Sequence, residues 1–173
     1  MTMTILKIYE FPEPVLRQPT APVETFDEEL RQLAGDMAAT MFDAPGVGLA
    51  APQIGKSIKM IVVDHSRQEE NIGAWLALVN PEIVAADGRQ CGSEGCLSMP
   101  DLTSKVNRYQ KITVRYQDLQ GEAKEITAED RFAVVLQHEI DHLNGVLFLD
   151  HLSSLKRNLY LKKYKKWSRQ QQD

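Results

Sequence analysis

Ala128-Glu-Asp-Arg-Phe-Ala-Val-Val-Leu-Gln-His-Glu-Ile-Asp-His-Leu143 is the stretch on which the reading of this chain turns. Apolar residues recur in it at helical spacing until Asn144-Gly145, a good helix end. Inside it lies His138-Glu139-Ile140-Asp141-His142. Positions i and i+4 of a helix lie one turn apart, so both imidazoles can reach one ion. Glu139 follows the first of them, where it can take a proton from a water on that ion. Short HExxH strings also arise by chance, but here Val134, Val135, Leu136 and Leu143 make the helix apolar. A buried, charged motif of this kind is costly unless it binds something.

Two histidines do not close a catalytic metal site, which usually has three protein ligands plus water. The candidates for the third are Cys96, Cys91, His65, Glu94 and Asp150. Cys96 stands out, because Glu94-Gly-Cys-Leu-Ser98 offers a thiol on a glycine-hinged turn where a backbone amide can also point at the metal. The bland alternative for Cys96 is a small buried hydrophobe, and Cys91, with no partner motif, is read that way.

Working outward, Thr25-Phe-Asp-Glu28 fits a capping box ahead of Leu30, Leu33, Ala34, Met37, Ala38 and Met41, an apolar helical series ended by Pro45-Gly46. Gly46 to Gly55 is too rich in Gly and Pro for regular structure. Ile58 to Asp64 reads as a buried strand. Trp75 to Asn80 and Glu82 to Ala86 read as two more, split by Pro81. Lys111 to Gln117 alternates, with Ile112, Val114 and Tyr116 on one face, and Asp118 to Gly121 turns it toward Ala123 to Thr127 as a hairpin. A basic helix over about 152–169 closes the chain. The expectation is a compact α+β domain spanning residues 1–173. Antiparallel or mixed β-sheets would surround a central HExxH helix, with an N-terminal helix and a basic C-terminal one.

The 173 residues, 43% hydrophobic and 25% charged, have ordinary globular composition, which excludes fibrous and disordered classes. No apolar run approaches the roughly 20 residues of a membrane span, and Met1 to Pro14 lacks a signal-peptide core. A cytoplasmic protein is expected, with its two cysteines reduced. The net charge of −4 is unevenly spread. Leu155 to Arg169 holds seven bases and no acid, leaving thirteen bases against 24 acids, a net of −11, on the remainder. An acidic body with a basic tail suggests two surfaces with two jobs.

The third chemically suggestive segment is Gly46 to Gln53. Its glycines allow close backbone approach to a ligand, and Gln53 is an uncharged donor able to polarise a carbonyl. It lacks the GK[ST] ending of a phosphate loop, so nucleotide binding is not supported. Taken together, Gly46-Val-Gly-Leu-Ala-Ala-Pro-Gln53, Glu94-Gly-Cys-Leu-Ser98 and His138-Glu-Ile-Asp-His142 resemble the GxGxAAxQ, EGCxS and HExxH motifs of the peptide deformylase family. They stand in that family's order, over nearly the whole chain.

The resemblance implies a metal-dependent hydrolase that removes the formyl group from the N-terminal formylmethionine of nascent bacterial proteins. By it, Cys96, His138 and His142 bind one divalent ion, and Glu139 is the general base and then the acid. The Gln53 side chain and the Leu97 backbone N–H would hold the developing oxyanion. Val47, Gly48 and Gly95 match positions that pair with the substrate as an added strand, and Val134 and Val135 wall a methionine pocket, though plain core is the bland reading of both valines. Iron(II) is the implied working metal, with zinc, nickel or cobalt able to replace it. Many members carry an arginine near the position of Thr103 that contacts substrate beyond methionine; here that contact weakens or falls to Arg108. The basic helix suggests a ribosome contact, while neither a membrane nor DNA is expected as a partner. Two competing classes are a general zinc endopeptidase using HExxH and a non-catalytic metal-stabilised module that binds RNA. Cys96 within EGCLS speaks against the first, and Glu139 with Gln53 against the second.

Overall fold

Met60-Ile-Val-Val63 is apolar at every position because both faces of its strand are covered. In the computed structural model, which describes residues 2–66 and 73–170, it lies in β2 (Met60–Asp64). β2 pairs on one side with β1 (Gly48–Ala50) and on the other with β3 (Trp75–Asp87). β6 (Lys111–Gln117) and β7 (Ala123–Glu129) complete a five-stranded sheet of order β1-β2-β3-β6-β7, antiparallel at every pairing.

Side chains alternate across a strand, so β2 feeds two apolar layers. Ile61 and Val63 pack with Ile112, Val114 and Tyr116 of β6 against Phe132, Val135, Leu136 and Ile140 of α2 (Asp130–Leu143). Met60 and Val62 face the other way, onto Leu30, Ala34, Met37 and Met41 of α1 (Glu28–Asp43). The sheet is thus held between the expected N-terminal helix and the HExxH helix. A separate hairpin, β4 (Gln90–Cys96) with β5 (Met99–Arg108), packs Met99 and Val106 with Phe148, Leu149 and Leu152. The same cluster receives Tyr160 from α3 (Ser154–Gln170).

Several local expectations need correction. The N-cap of α1 is Asp27, whose Oδ1 accepts from the Leu30 amide at 3.0 Å, so the helix starts two residues later than a Thr25 cap requires. Gly46 to Gly55 is not irregular throughout, because it contains β1 and a 3₁₀ turn over Ala51–Ile54. The two strands around Pro81 are one strand with a register shift between Val79 and Glu82. Asn80, at φ 50°, carries that bulge. Its side chain bridges Val23 and the Gln117 amide oxygen, compensating for the ladder that Pro81 interrupts.

Candidate metal centre and cleft

β4 ends at Cys96, where the pairing with β5 slips, and α2 presents His138 and His142 one turn apart. One Sγ and two imidazole nitrogens therefore lie within 4.8 Å of one another. Cys96 Sγ is 3.4 Å from His142 Nε2. Thiolate and imidazole ligands on one tetrahedral ion stand roughly 3.5 Å apart, so the donor set fits a divalent metal of borderline softness. Cys96 is therefore the candidate third ligand that the fold brings to the histidines.

The other four candidates are engaged elsewhere or lie elsewhere. Glu94, buried, accepts from His138 Nδ1 at 2.9 Å, which leaves Nε2 of that ring for the cluster. Asp150 pairs with Arg17 at 2.6 Å. His65 stacks near Phe132, with ring centroids 5.5 Å apart. Cys91 is exposed on β4 rather than buried, because the two-stranded sheet leaves that face uncovered.

Arg108 is not placed to take over the substrate contact that an arginine near Thr103 would make. It is 5% exposed and grips Glu94 through two hydrogen bonds of 2.8 and 3.0 Å. Its remaining guanidinium nitrogen reaches Asp141 at 2.6 Å, and Asp141 in turn meets His151 at 2.8 Å. A side chain spent on two carboxylates cannot reach a peptide. This chain from His138 through Glu94 and Arg108 to Asp141 was missed by sequence reasoning. Its members lie on β4, β5 and α2, and no local spacing relates them.

Electrostatics follow from this packing. Burial alone would raise Glu94, but hydrogen bonds from His138 and Arg108 outweigh it and hold the carboxyl at about 2. Burial likewise opposes a proton on His138, yet its contacts with Cys96 and Glu94 raise it well above the ordinary value. That field is one a cation would meet favourably. Burial pushes Glu139 up to about 7 and holds His142 well below its usual range. Among the described residues, Glu139 Oε2 is buried without a hydrogen-bond partner, as expected of a group whose function lies with a bound species; His142 Nδ1, on the side of the ring away from the cluster, is buried without one as well.

Gln53 is 1% exposed and fixed at both ends. Its Oε1 accepts from the Ala50 amide at 2.9 Å, and its Nε2 donates to Ser98 Oγ at 3.1 Å. Nε2 also lies 3.7 Å from Cys96 Sγ, beside the cluster. The cleft of about 370 Å³ in front of it is lined by Gly46, Val47, Gly48, Gln53, Gly95, Leu97, Thr103, Arg131, His138 and Glu139. Val134 and Val135 line an adjoining recess with Val47 and Gly95. Val135 is also part of the core under α2, so its bland reading holds alongside the functional one. Gly48 admits no side chain, since a Cβ there would sit 2.6 Å from Glu139 Oε1. At Gly95 the nearest atoms would be at 3.6 Å, so that side of the cleft stays open.

Comparison with known proteins agrees with the geometry. Residues 5–158 match the family model described as polypeptide deformylase. The peptide deformylase of Desulfotalea psychrophila is 61% identical over 95% of this chain and 98% of that protein. That of Acidobacterium capsulatum is 50% identical over 96% and 98%. Among solved structures, a peptide deformylase from Legionella pneumophila superposes with a TM-score of 0.88 at 48% identity, covering 97% of this chain and 98% of that one. One from Synechococcus elongatus, in complex with actinonin, gives 0.86 at 38% identity, over 95% and 90%.

Proposed function

The chain belongs to the polypeptide deformylase family, and from that premise we propose that Cys96, His138 and His142 hold one divalent metal ion while Glu139 moves the protons of formyl-amide hydrolysis. The protein is a metal-dependent hydrolase that removes the N-formyl group from the N-terminal formylmethionine of nascent proteins. The endopeptidase alternative gives way to this, since the matching family model and the relatives compared are deformylases. The observation that carries the residue assignment is the three-ligand cluster directly beside a buried glutamate.

A divalent ion bound there supplies Lewis acidity, polarising the formyl oxygen and lowering the pKa of a water towards about 7. Glu139 takes a proton from the attacking water as its oxygen bonds to the formyl carbon. Negative charge then grows on the former carbonyl oxygen, where Gln53 Nε2 and the Leu97 N–H donate. Glu139 returns the proton to the amine nitrogen as the C–N bond breaks, and formate leaves. Burial raises this carboxyl, which suits a group that must both take a proton and give it back. The backbones of Val47, Gly48 and Gly95 would pair with the peptide as an added strand, with its methionine side chain against Val134 and Val135.

The donor set suits iron(II), zinc, nickel and cobalt. We take iron(II) as the working ion on the family resemblance, with the cytoplasm as its compartment and residues 1–173 as one catalytic unit. No helix among the described residues is long and apolar enough to cross a membrane. The basic α3 is read as a ribosome contact. Its support is a cationic surface on an otherwise acidic body, since RNA attracts such a helix electrostatically.

The test is anaerobic purification with metal analysis, then formate release from formyl-Met peptides. A stoichiometric metal and formate release support the reading. A protein that binds metal but leaves the formyl group in place would defeat it.

A further inference from the structure

Arg131 stands in the catalytic cleft without a role in the chemistry above. It lies one helical turn before Val134 and Val135 and two turns before His138, on the same face of α2. It is exposed, and it lines both the metal-side cleft and the recess beside the valines. No carboxylate among the described residues pairs with it. The neighbouring Asp130 is turned to Gln110 at 3.3 Å. Glu94, which shares the recess, is committed to Arg108 and His138. The guanidinium therefore faces the substrate path with its charge uncompensated.

Resting on the deformylase reading, we infer that Arg131 is a specificity-determining residue that favours an acidic side chain on the third residue of the substrate, two after the formylmethionine. The reach is right. At about 1.5 Å per helical residue, Arg131 lies roughly 10 Å along α2 from His138. Arg131 and His138 line the same cleft, and a peptide extended through it from the cluster towards Arg131 would advance about 3.3 Å per residue, which brings its third residue to that level. Side chains alternate on an extended strand, so the third one shares the face of the methionine and meets the arginine. Arg108, buried between Glu94 and Asp141, does not compete for it. Among the described residues, the exposed carboxylate on the cleft is Asp101 of β5, while Glu139 is buried at the metal cluster.

The experiment measures kcat/KM for formyl-Met tripeptides, amidated at the C-terminus, carrying Glu, Ala or Lys at position 3, with the metal-loaded wild type, Arg131→Gln and Arg131→Glu. Turnover of the Ala peptides by the wild type tests the deformylase reading, whereas the Glu/Lys ratio tests this inference and cancels any common loss of fold or rate. The wild type should favour Glu over Lys by about three- to tenfold at low salt, the scale of one partly exposed ion pair replaced by a repulsion. That preference should shrink towards unity in 0.5 M salt. It should vanish in Arg131→Gln and invert in Arg131→Glu. Equal rates for Glu and Lys in the wild type would overturn the inference. So would a preference for Lys, which assigns the selection to Asp101, or a Glu preference that survives in Arg131→Gln.

Discussion

At Gly48 a methyl group would lie 2.6 Å from Glu139 Oε1 and 2.7 Å from its Cγ, so the proposed base and the backbone are packed to contact. Gly48→Ala must displace one or the other. Overpacking of this kind costs about 1–3 kcal/mol, and the expected result is a lowered melting temperature together with a loss of kcat. Thermal unfolding and steady-state kinetics on one preparation check it; an unchanged kcat would mean that Glu139 shifts without consequence. Glu139→Gln keeps the shape but cannot carry a proton, so metal content should stay stoichiometric while kcat falls about 10²–10⁴-fold. Cys96→Ser separates differently. A hydroxyl is a poor ligand for a borderline-soft ion, so metal content and activity should fall together, and a variant retaining both would remove Cys96 from the ligand set. Glu94→Gln leaves Arg108 buried with half its charge compensation and His138 less firmly oriented. Loss of such an outer partner typically weakens metal binding about 10–100-fold, measurable by competition with a chelator.

Elements are tied together by charges that can be titrated. Arg17, in the 3₁₀ turn over Pro14–Arg17, forks onto Asp150 in the turn over Phe148–His151, with contacts of 2.6 and 3.0 Å. Burial raises Asp150, but the Arg17 hydrogen bonds and the Leu147 amide outweigh it and lower the carboxyl below its usual value. A depressed carboxyl contributes stability that is present above its unfolded pKa and is lost as pH falls through the folded one. Asp150→Asn should therefore melt below the wild type at neutral pH, with the gap closing as the pH falls below the ordinary aspartate range. Both partners are partly exposed, so the gap should be on the order of 1 kcal/mol or less. α3 behaves differently from its sequence pattern. Leu152, Leu155 and Leu159 share a helical spacing with Tyr160 and Tyr164, yet Leu155 and Leu159 are 71% and 58% exposed. Tyr160 is buried, with Leu161 and Tyr164 beside it. The packed face is the aromatic one, and a residue one position away is rotated by about 100° from it. The leucines consequently stand among the lysines on the outer side.

At the scale of the molecule, that outer side is the surface on which ribosome docking would depend. Reversing Lys162, Lys163, Lys165 and Lys166 to Glu should weaken ribosome co-sedimentation at low salt while leaving turnover of short formyl-Met peptides, because none of those lysines lines the cleft or its recess. Unchanged co-sedimentation would reduce α3 to a packing helix. The sequence alone singled out the two histidines proposed as ligands and the glutamate proposed as base, since HExxH on an apolar helix is a relation between neighbours, set by 3.6 residues per turn. It also determined the alternating strand at 111–117 and the hairpin after it, where periodicity and turn chemistry are local. Cys96 could be nominated but not distinguished by spacing from Glu94 or Asp150, because it reaches the histidines through the pairing of β4 with β5. The role of Arg108 was legible only in three dimensions. A guanidinium can be buried without a large penalty only when carboxylates compensate its charge, and those carboxylates come from β4 and α2, which only the packed hairpin brings together. Arg131, by contrast, keeps its charge for the cleft because its neighbours on α2 turn theirs elsewhere.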